Sequence, residues 1–285
     1  MFARRFAREI TALVALPFVI AIIGWGPLWL YTALIVIALT LALWEFLALG
    51  QTKGYPVQKI ASILLLFVLL WTFLDDRVSV EVGVFAILLV IPALYVFART
   101  PIEEALPASA VCALGTLYVG MLGGALLRLR IDFSRDAIRE DGSLDIGAKL
   151  IFFLLVAVWA SDSGAYYVGK RFGRHRLSPR VSPKKTIEGG VGGFVTSLIA
   201  AGIVHATFFP EFPLHHALIA AGLLCVGGII GDLAESLWKR SADVKDSGVL
   251  IPGHGGFLDR IDSILFTAPI LYAYWFALNE GWPQR

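Results

Sequence analysis

Long apolar runs alternate with short polar joints along the whole chain. Nine such runs can be read, over roughly 10–25, 27–47, 60–74, 82–98, 107–127, 149–168, 190–209, 215–237 and 263–279. Apolar runs with few charges predict membrane-crossing helices, for which a straight crossing needs about 20 residues. Several runs are shorter, so tilt or extension at their ends must supply the rest. The first two are separated only by Trp25-Gly26-Pro27, as a tight hairpin or one broken helix. The expected fold class is an all-α polytopic membrane protein with about nine transmembrane helices. The pattern shows no internal repeat and no low-complexity tract.

Composition agrees. Of 285 residues, 58% are hydrophobic and 16% charged, against about 25% charged in soluble domains. A net charge of +2 gives no reason to expect nucleic acid. Cys112 and Cys225 both lie inside apolar runs. They are expected as buried thiols, without a bridge and without the spacing of a zinc site. The basic, then apolar N-terminus resembles a signal peptide. It lacks a small-x-small cleavage site and runs directly into more apolar sequence, so a first, uncleaved transmembrane helix is expected.

Lys and Arg set the orientation. With nine crossings and a cytosolic N-terminus, 17 of the 24 Lys and Arg fall on the cytosolic side. Seven of these crowd the joint from Lys170 to Lys185. The opposite joint, 128–148, alternates in sign from Arg128 to Asp145 and reads as a solvated loop or short surface helix. The chain then divides into N-terminal transmembrane helices over 1–127, a scaffold in lipid, the non-cytosolic loop 128–148, and a C-terminal transmembrane region over 149–285.

The two halves differ in their polar content. Glu45 stands alone within the N-terminal runs, with a helix-packing hydrogen bond as its default role. The C-terminal half carries Asp162, Asp232 and Glu235 in or beside apolar runs. A charge at a helix centre costs about 2.5–3.5 kcal/mol on insertion scales, so cations, water or metal must offset it. Asp162 and Asp232 each lie about two turns, some 9 Å, from a cytosolic helix end. Equal depth fits one polar pocket. For Asp162 the competing role is helix–helix hydrogen bonding; for Asp232 it is an intramembrane salt bridge.

Asp232, Glu235 or Ser236, and Lys239 share one helix face. Arg240, Lys245 and Asp246 follow, then Gly253-His254-Gly255-Gly256, whose glycines let backbone approach a ligand. Asp259, Arg260 and Asp262 open the last run. Mg²⁺ takes one or two carboxylates together with phosphate oxygens and water. Asp232 and Asp259 come from successive helix ends joined by this loop, a workable way to bring two oxygen ligands together. The joint before the seventh run carries Ser182-Pro183-Lys184-Lys185-Thr186-Ile187-Glu188-Gly189-Gly190. A helix expected after Gly189, beside Lys and Thr, would offer an anion site. The order differs from a Walker A loop. Acidic ligands, bases and glycine turns beside lipid suit phosphoryl chemistry on a lipid substrate.

Three stretches carry a family resemblance. The first is Ser236-Leu237-Trp238-Lys239-Arg240, Lys245-Asp246-Ser247-Gly248 and Pro252 through Asp262; the others are Ser182 to Thr186 and Asp162-Ser163. Together they resemble phosphatidate cytidylyltransferases (CDP-diacylglycerol synthases). The match is specific in the C-terminal half; the N-terminal half matches only as apolar spans. The resemblance implies that CTP and phosphatidic acid give CDP-diacylglycerol and pyrophosphate. It also implies Mg²⁺, with K⁺ alongside, at Asp232 and Asp259, and a homodimer in a bacterial cytoplasmic membrane with its active site facing the cytosol. Lys184, Lys185, Lys239, Arg240, Lys245, Asp246 and His254 would serve catalysis. Asp162, Ser182, Pro183, Thr186, Glu188 and Gly189 would surround the substrates, together with Gly255, Gly256, Arg260 and Asp262.

Two other classes compete. A secondary transporter would show paired repeats and a midplane site, whereas here the polar groups crowd one side of one half. A CTP-dependent kinase of lipid alcohols would move the γ-phosphate. The His254-to-Asp262 run favours the cytidylyltransferase.

Overall fold

In the computed structural model the described residues are 16–133, 143–248 and 255–280. They form nine α-helices and one β-hairpin. The helices are α1 (Leu16–Trp25), α2 (Leu28–Thr52), α3 (Lys59–Leu74), α4 (Val80–Phe97), α5 (Ile102–Ile131), α6 (Ile146–Phe172), α7 (Ile187–Thr207), α8 (Leu214–Ser241) and α9 (Leu258–Glu280). Seven are long and apolar enough to cross a membrane; α1 and α3 are shorter. Large apolar side chains such as Leu89, Val96, Phe97, Ile102 and Leu106 point outward. Surfaces of this kind need lipid or another protein against them, and the chain is a helical multi-pass membrane protein.

Helices α5, α6, α8 and α9 run past both ends of the apolar runs that predict them. Hydropathy reads the length that lipid can cover, but backbone hydrogen bonds continue wherever side chains tolerate the helix. Asp232 therefore lies nine residues before the end of α8, about 14 Å at 1.5 Å per residue. Asp162 lies ten residues before the end of α6, about 15 Å. Both are further from their helix ends than expected, by similar amounts. Helix α7 begins at Ile187, three residues before Gly190, because Thr186 caps it: the Thr186 hydroxyl accepts from Gly189 N at 3.1 Å.

Residues gather into two compact units. The first contains Met1–Arg128 and Trp238–Ile261, the second Leu129–Leu237 and Asp262–Arg285. In the first, Leu39, Leu43 and Leu47 of α2 are fully buried. Phe46, Tyr118 and Trp238 form a triangle of tilted and edge-on rings with centroids 4.8–5.7 Å apart. The end of α2 reaches the turn after α8: Thr52 donates to Ala242 O at 3.3 Å, and Lys53 pairs with Asp243 at 2.5 Å.

In the second unit α6 packs closely on α7. A Cβ on Gly164 would come within 2.0 Å of Thr196 Oγ1, and that hydroxyl donates to Ala160 O at 2.9 Å. Small residues at such crossings let helix backbones approach. The other end of α6 is ionic. Asp145 caps it by accepting from Ala148 N at 2.7 Å and pairs with Arg130 at 2.6 Å; Lys149 pairs with Glu211 at 2.7 Å. Arg130 is buried and Asp145 nearly so. These two belong to packed structure and not to the solvated loop expected over 128–148; residues 134–142 of that stretch lie outside the described residues.

Candidate active site

Between α6 and α7 the expected loop contains an antiparallel hairpin, β1 (Arg176–Ser178) and β2 (Ser182–Thr186), with Arg176 opposite Thr186 and Ser178 opposite Ser182. Strand β2 carries the Ser-Pro-Lys-Lys-Thr run straight into the α7 cap. Ile187 N donates to His175 O at 2.9 Å, which ties the hairpin base together.

The hairpin, α6, α7 and α8 enclose a cavity of about 590 Å³ within the second unit. Asp162, Lys184, Lys185, Thr186, Gly189 and Asp232, all predicted from the motifs, line it. Ser161, Tyr166, Lys170 and Arg176 line it too. Lys170 and Arg176 are visible in sequence only as part of a basic joint, where orientation in the membrane explains them equally well. Ser161 and Tyr166 carry no sequence signal beyond adjacency to Asp162.

Lys185 and Asp232 are an ion pair, and Ser236 donates to the other Asp232 oxygen at 3.3 Å. Asp162 opens onto the same cavity. Two carboxylates thus face four cations, Lys170, Arg176, Lys184 and Lys185. Such a cavity can hold anions rich in phosphate and a divalent cation between them. Among the described residues, no cluster of three His, Cys, Asp or Glu side chains could hold a metal by itself. Two hard carboxylates fit Mg²⁺ where phosphates and water complete the shell.

Gly189 serves packing more than ligand approach, since a Cβ there would lie 2.8 Å from Ala165 O. Its N–H is taken by Thr186, so one donor of the expected anion site is already spent. Glu188 does not line the cavity. Its carboxylate accepts from Arg174 N at 3.0 Å and pairs with His175 Nδ1 at 2.6 Å, holding the turn between α6 and β1. Ser182 and Pro183 lie on β2 outside the lining.

The signature residues Lys239 to Arg260 belong to the first unit. Lys239 is buried and pairs with Asp259, which is partly exposed. Asp259 Oδ2 also accepts from Ser247 N and Gly256 N, each at 3.1 Å. Gly255 has φ 82°, a left-handed conformation that favours glycine. Arg240 donates to Val244 O at 3.0 Å, and Arg240, Lys245, Asp246 and Arg260 are exposed. Asp262, at the start of the second unit's part of α9, is buried and accepts from Ser263 N at 2.6 Å. His254 lies outside the described residues.

One contributor comes from the N-terminal half. Glu45 on α2 is 2% exposed. Its Oε2 accepts from Ser247 Oγ at 3.0 Å and from Leu258 N at 2.8 Å. Its solitary place in an apolar run is the only sequence signal for it; the helix-packing bond expected there is made to Leu258 at the start of α9, and a second bond comes from Ser247 of the signature loop.

The chain is similar to known proteins over most of its length. The family model described as "Cytidylyltransferase family" matches residues 6–278. A phosphatidate cytidylyltransferase of Bacillus subtilis (strain 168) is 36% identical over 249 residues, 85% of this chain and 87% of that protein. Proteins of the same name are similar from Synechocystis (33% identical, 92% of both chains) and Staphylococcus haemolyticus (34% identical, 93% of this chain and 96% of that protein). With the model spanning nearly every helix and relatives aligned over most of both chains, this chain belongs to the cytidylyltransferase family.

Proposed function

We propose that the protein transfers the cytidylyl group of CTP to phosphatidic acid, forming CDP-diacylglycerol and pyrophosphate for phospholipid synthesis. The observation that carries this reading is the cavity in which Asp162 and Asp232 face Lys170, Arg176, Lys184 and Lys185. Family membership and the curated relatives support the choice of substrates.

The chemistry asks little of a general base. The lipid phosphate is already an anion at neutral pH, and one of its oxygens attacks the α-phosphorus of CTP. The bond from that phosphorus to the bridging oxygen breaks, and pyrophosphate leaves with the electron pair. The main barrier is the approach of two anions and the growth of charge on the leaving group. Lys184, Lys185, Arg176 and Lys170 neutralise both, in a cavity where such charges count for more than in bulk water. Lys185, held by Asp232, is oriented before substrate arrives. Asp232, the expected ligand that lines the cavity, would hold Mg²⁺ together with Asp162, whereas Asp259, the other expected ligand, accepts from Lys239, Ser247 N and Gly256 N; when bound, the ion supplies Lewis-acid neutralisation of phosphate oxygens.

The finer architecture belongs to the same proposal: nine crossings, a cytosolic N-terminus, an active site facing the cytosol of a bacterial cell and a homodimer. The cytosol is where a nucleotide substrate is available. The test is direct. Purified protein receives labelled CTP, phosphatidic acid and Mg²⁺; CDP-lipid and pyrophosphate are expected. CDP and a newly phosphorylated lipid would instead make it a kinase.

A further inference from the structure

We infer that Glu45 is a positioning residue for cytidylyl transfer, acting through Ser247 and Leu258 on the placement of Lys239 and Asp259. The inference rests on the proposed function for its kinetic consequence, but its structural basis stands alone.

Both ends of the signature stretch converge on two carboxylates. Ser247 gives its hydroxyl to Glu45 and its N–H to Asp259. Leu258 N, in the first turn of α9, donates to Glu45, and Gly256 N to Asp259. Gly256 sits between them: a Cβ there would lie 2.8 Å from both Glu45 Oε2 and Asp259 Oδ2, and 1.9 Å from Ser247 Oγ. Gly248 is as tight, with its Cβ position 2.4 Å from Glu45 Oε1. Any movement of the Glu45 carboxylate must therefore move this backbone, and with it the acceptor that Lys239 is paired to.

Glu45 gains nothing for its own helix. It interrupts an apolar stretch, and its Oε1 is buried without a hydrogen-bond partner among the described residues. A buried polar atom left in that state costs stability. The acid is favoured by what it holds: two donors from the loop and the positive end of α9. Phe46 packs on Trp238, the neighbour of Lys239, so α2 touches both the helix that carries Lys239 and the first turn of α9, which carries Asp259.

The test uses the full-length protein in detergent, with Glu45→Ala, Glu45→Gln, Ser247→Ala and the Glu45→Ala/Ser247→Ala double variant. Loss of geometry at a reacting centre can cost about 10²-fold, so Glu45→Ala should lose about that in kcat with KM for CTP changed by less than about threefold. Glu45→Gln, whose carbonyl still accepts both bonds, should recover at least about tenfold of the loss. The double variant should be no worse than Glu45→Ala alone, because both changes break one linkage. Amide exchange should quicken in peptides covering 243–262 in Glu45→Ala and stay slow in α6 and α7. Wild-type kcat in Glu45→Ala, losses that multiply in the double variant, or equal loss in Glu45→Gln would overturn the inference. If the wild-type protein makes no CDP-lipid, the proposed function falls; the Glu45 linkage is then decided by exchange, and unchanged 243–262 peptides in Glu45→Ala would overturn it.

Discussion

Lys185 on strand β2 and Asp232 in α8 are an ion pair at the wall of the cavity. The pair joins a hairpin that carries the basic motif to a carboxylate set about 14 Å inside its helix. It explains how an acid survives in an apolar helix: a cation is delivered to it from outside the helix. It also holds Lys185 at the cavity wall, where the proposed reaction would bring phosphate.

Lys185→Met should therefore lower CDP-lipid formation by about 10²-fold or more, the scale expected when one preorganised donor to developing charge is removed. Lys185→Arg should retain part of the activity. Labelled CTP turnover at saturating lipid measures both. Wild-type turnover in Lys185→Met would remove Lys185 from the mechanism.

Chelation of divalent ions should stop turnover, and added Mg²⁺ should restore it. Asp232→Asn should raise the Mg²⁺ needed for half-maximal rate by about tenfold or more, as loss of a coordinating oxygen costs at least what loss of its supporting bonds does. Asp259→Asn should abolish activity while the protein still inserts and folds. The carboxylate of Asp259 accepts three protein donors, and an amide offers one acceptor oxygen in its place. Recovery of Asp259→Asn at high Mg²⁺ would make Asp259 a metal ligand; failure to recover would leave it an anchor of the loop. Full activity without added Mg²⁺ would remove both assignments.

Gly164→Val should destabilise the protein. The new side chain would overlap Thr196 where the Cβ position is already 2.0 Å from its hydroxyl. Overpacking typically costs about 1–3 kcal/mol, visible as a lower melting temperature. Gly202→Ala is the control: a Cβ there meets nothing within 4 Å, and helix propensity alone should raise stability by up to about 1 kcal/mol. An unchanged melting temperature in Gly164→Val would contradict the close crossing of α6 and α7.

A cysteine at Ser182 tests orientation. Membrane-impermeant thiol reagents should reach it only from the cytosolic side of inverted vesicles. Cys112 and Cys225 are buried and should not react. Labelling of Ser182→Cys from outside intact cells would reverse the proposed topology.

Much of the candidate site is legible in the motifs, and the reasons differ by residue. Asp162 and Asp232 stand out because a carboxylate in an apolar run is costly and so requires a partner or a use. Lys184, Lys185 and Thr186 are readable as a compact motif. Their strand is not, because β1 and β2 carry too few apolar positions to show a period. The tasks of Glu188 and Gly189 were hidden for another reason. Both fit an anion site by type, yet the first holds a turn and the second is pressed against α6.

Glu45 marks the same limit from the other side. As a single acid in an apolar helix it is visible, but its partners, Ser247 and Leu258, are more than two hundred positions away. What the sequence determined by itself is the membrane class, the helices, the chemistry-bearing motifs and the family. The first three follow from the kinds of residues present and their local spacing, and the family from the resemblance those motifs carry. Only the tertiary structure decided which cation faces which carboxylate, that the basic motif lies on a hairpin, and that an N-terminal helix holds the signature loop. Hydropathy and spacing describe one residue or one segment at a time, while an ion pair or a buried hydrogen bond is set by two segments packed together.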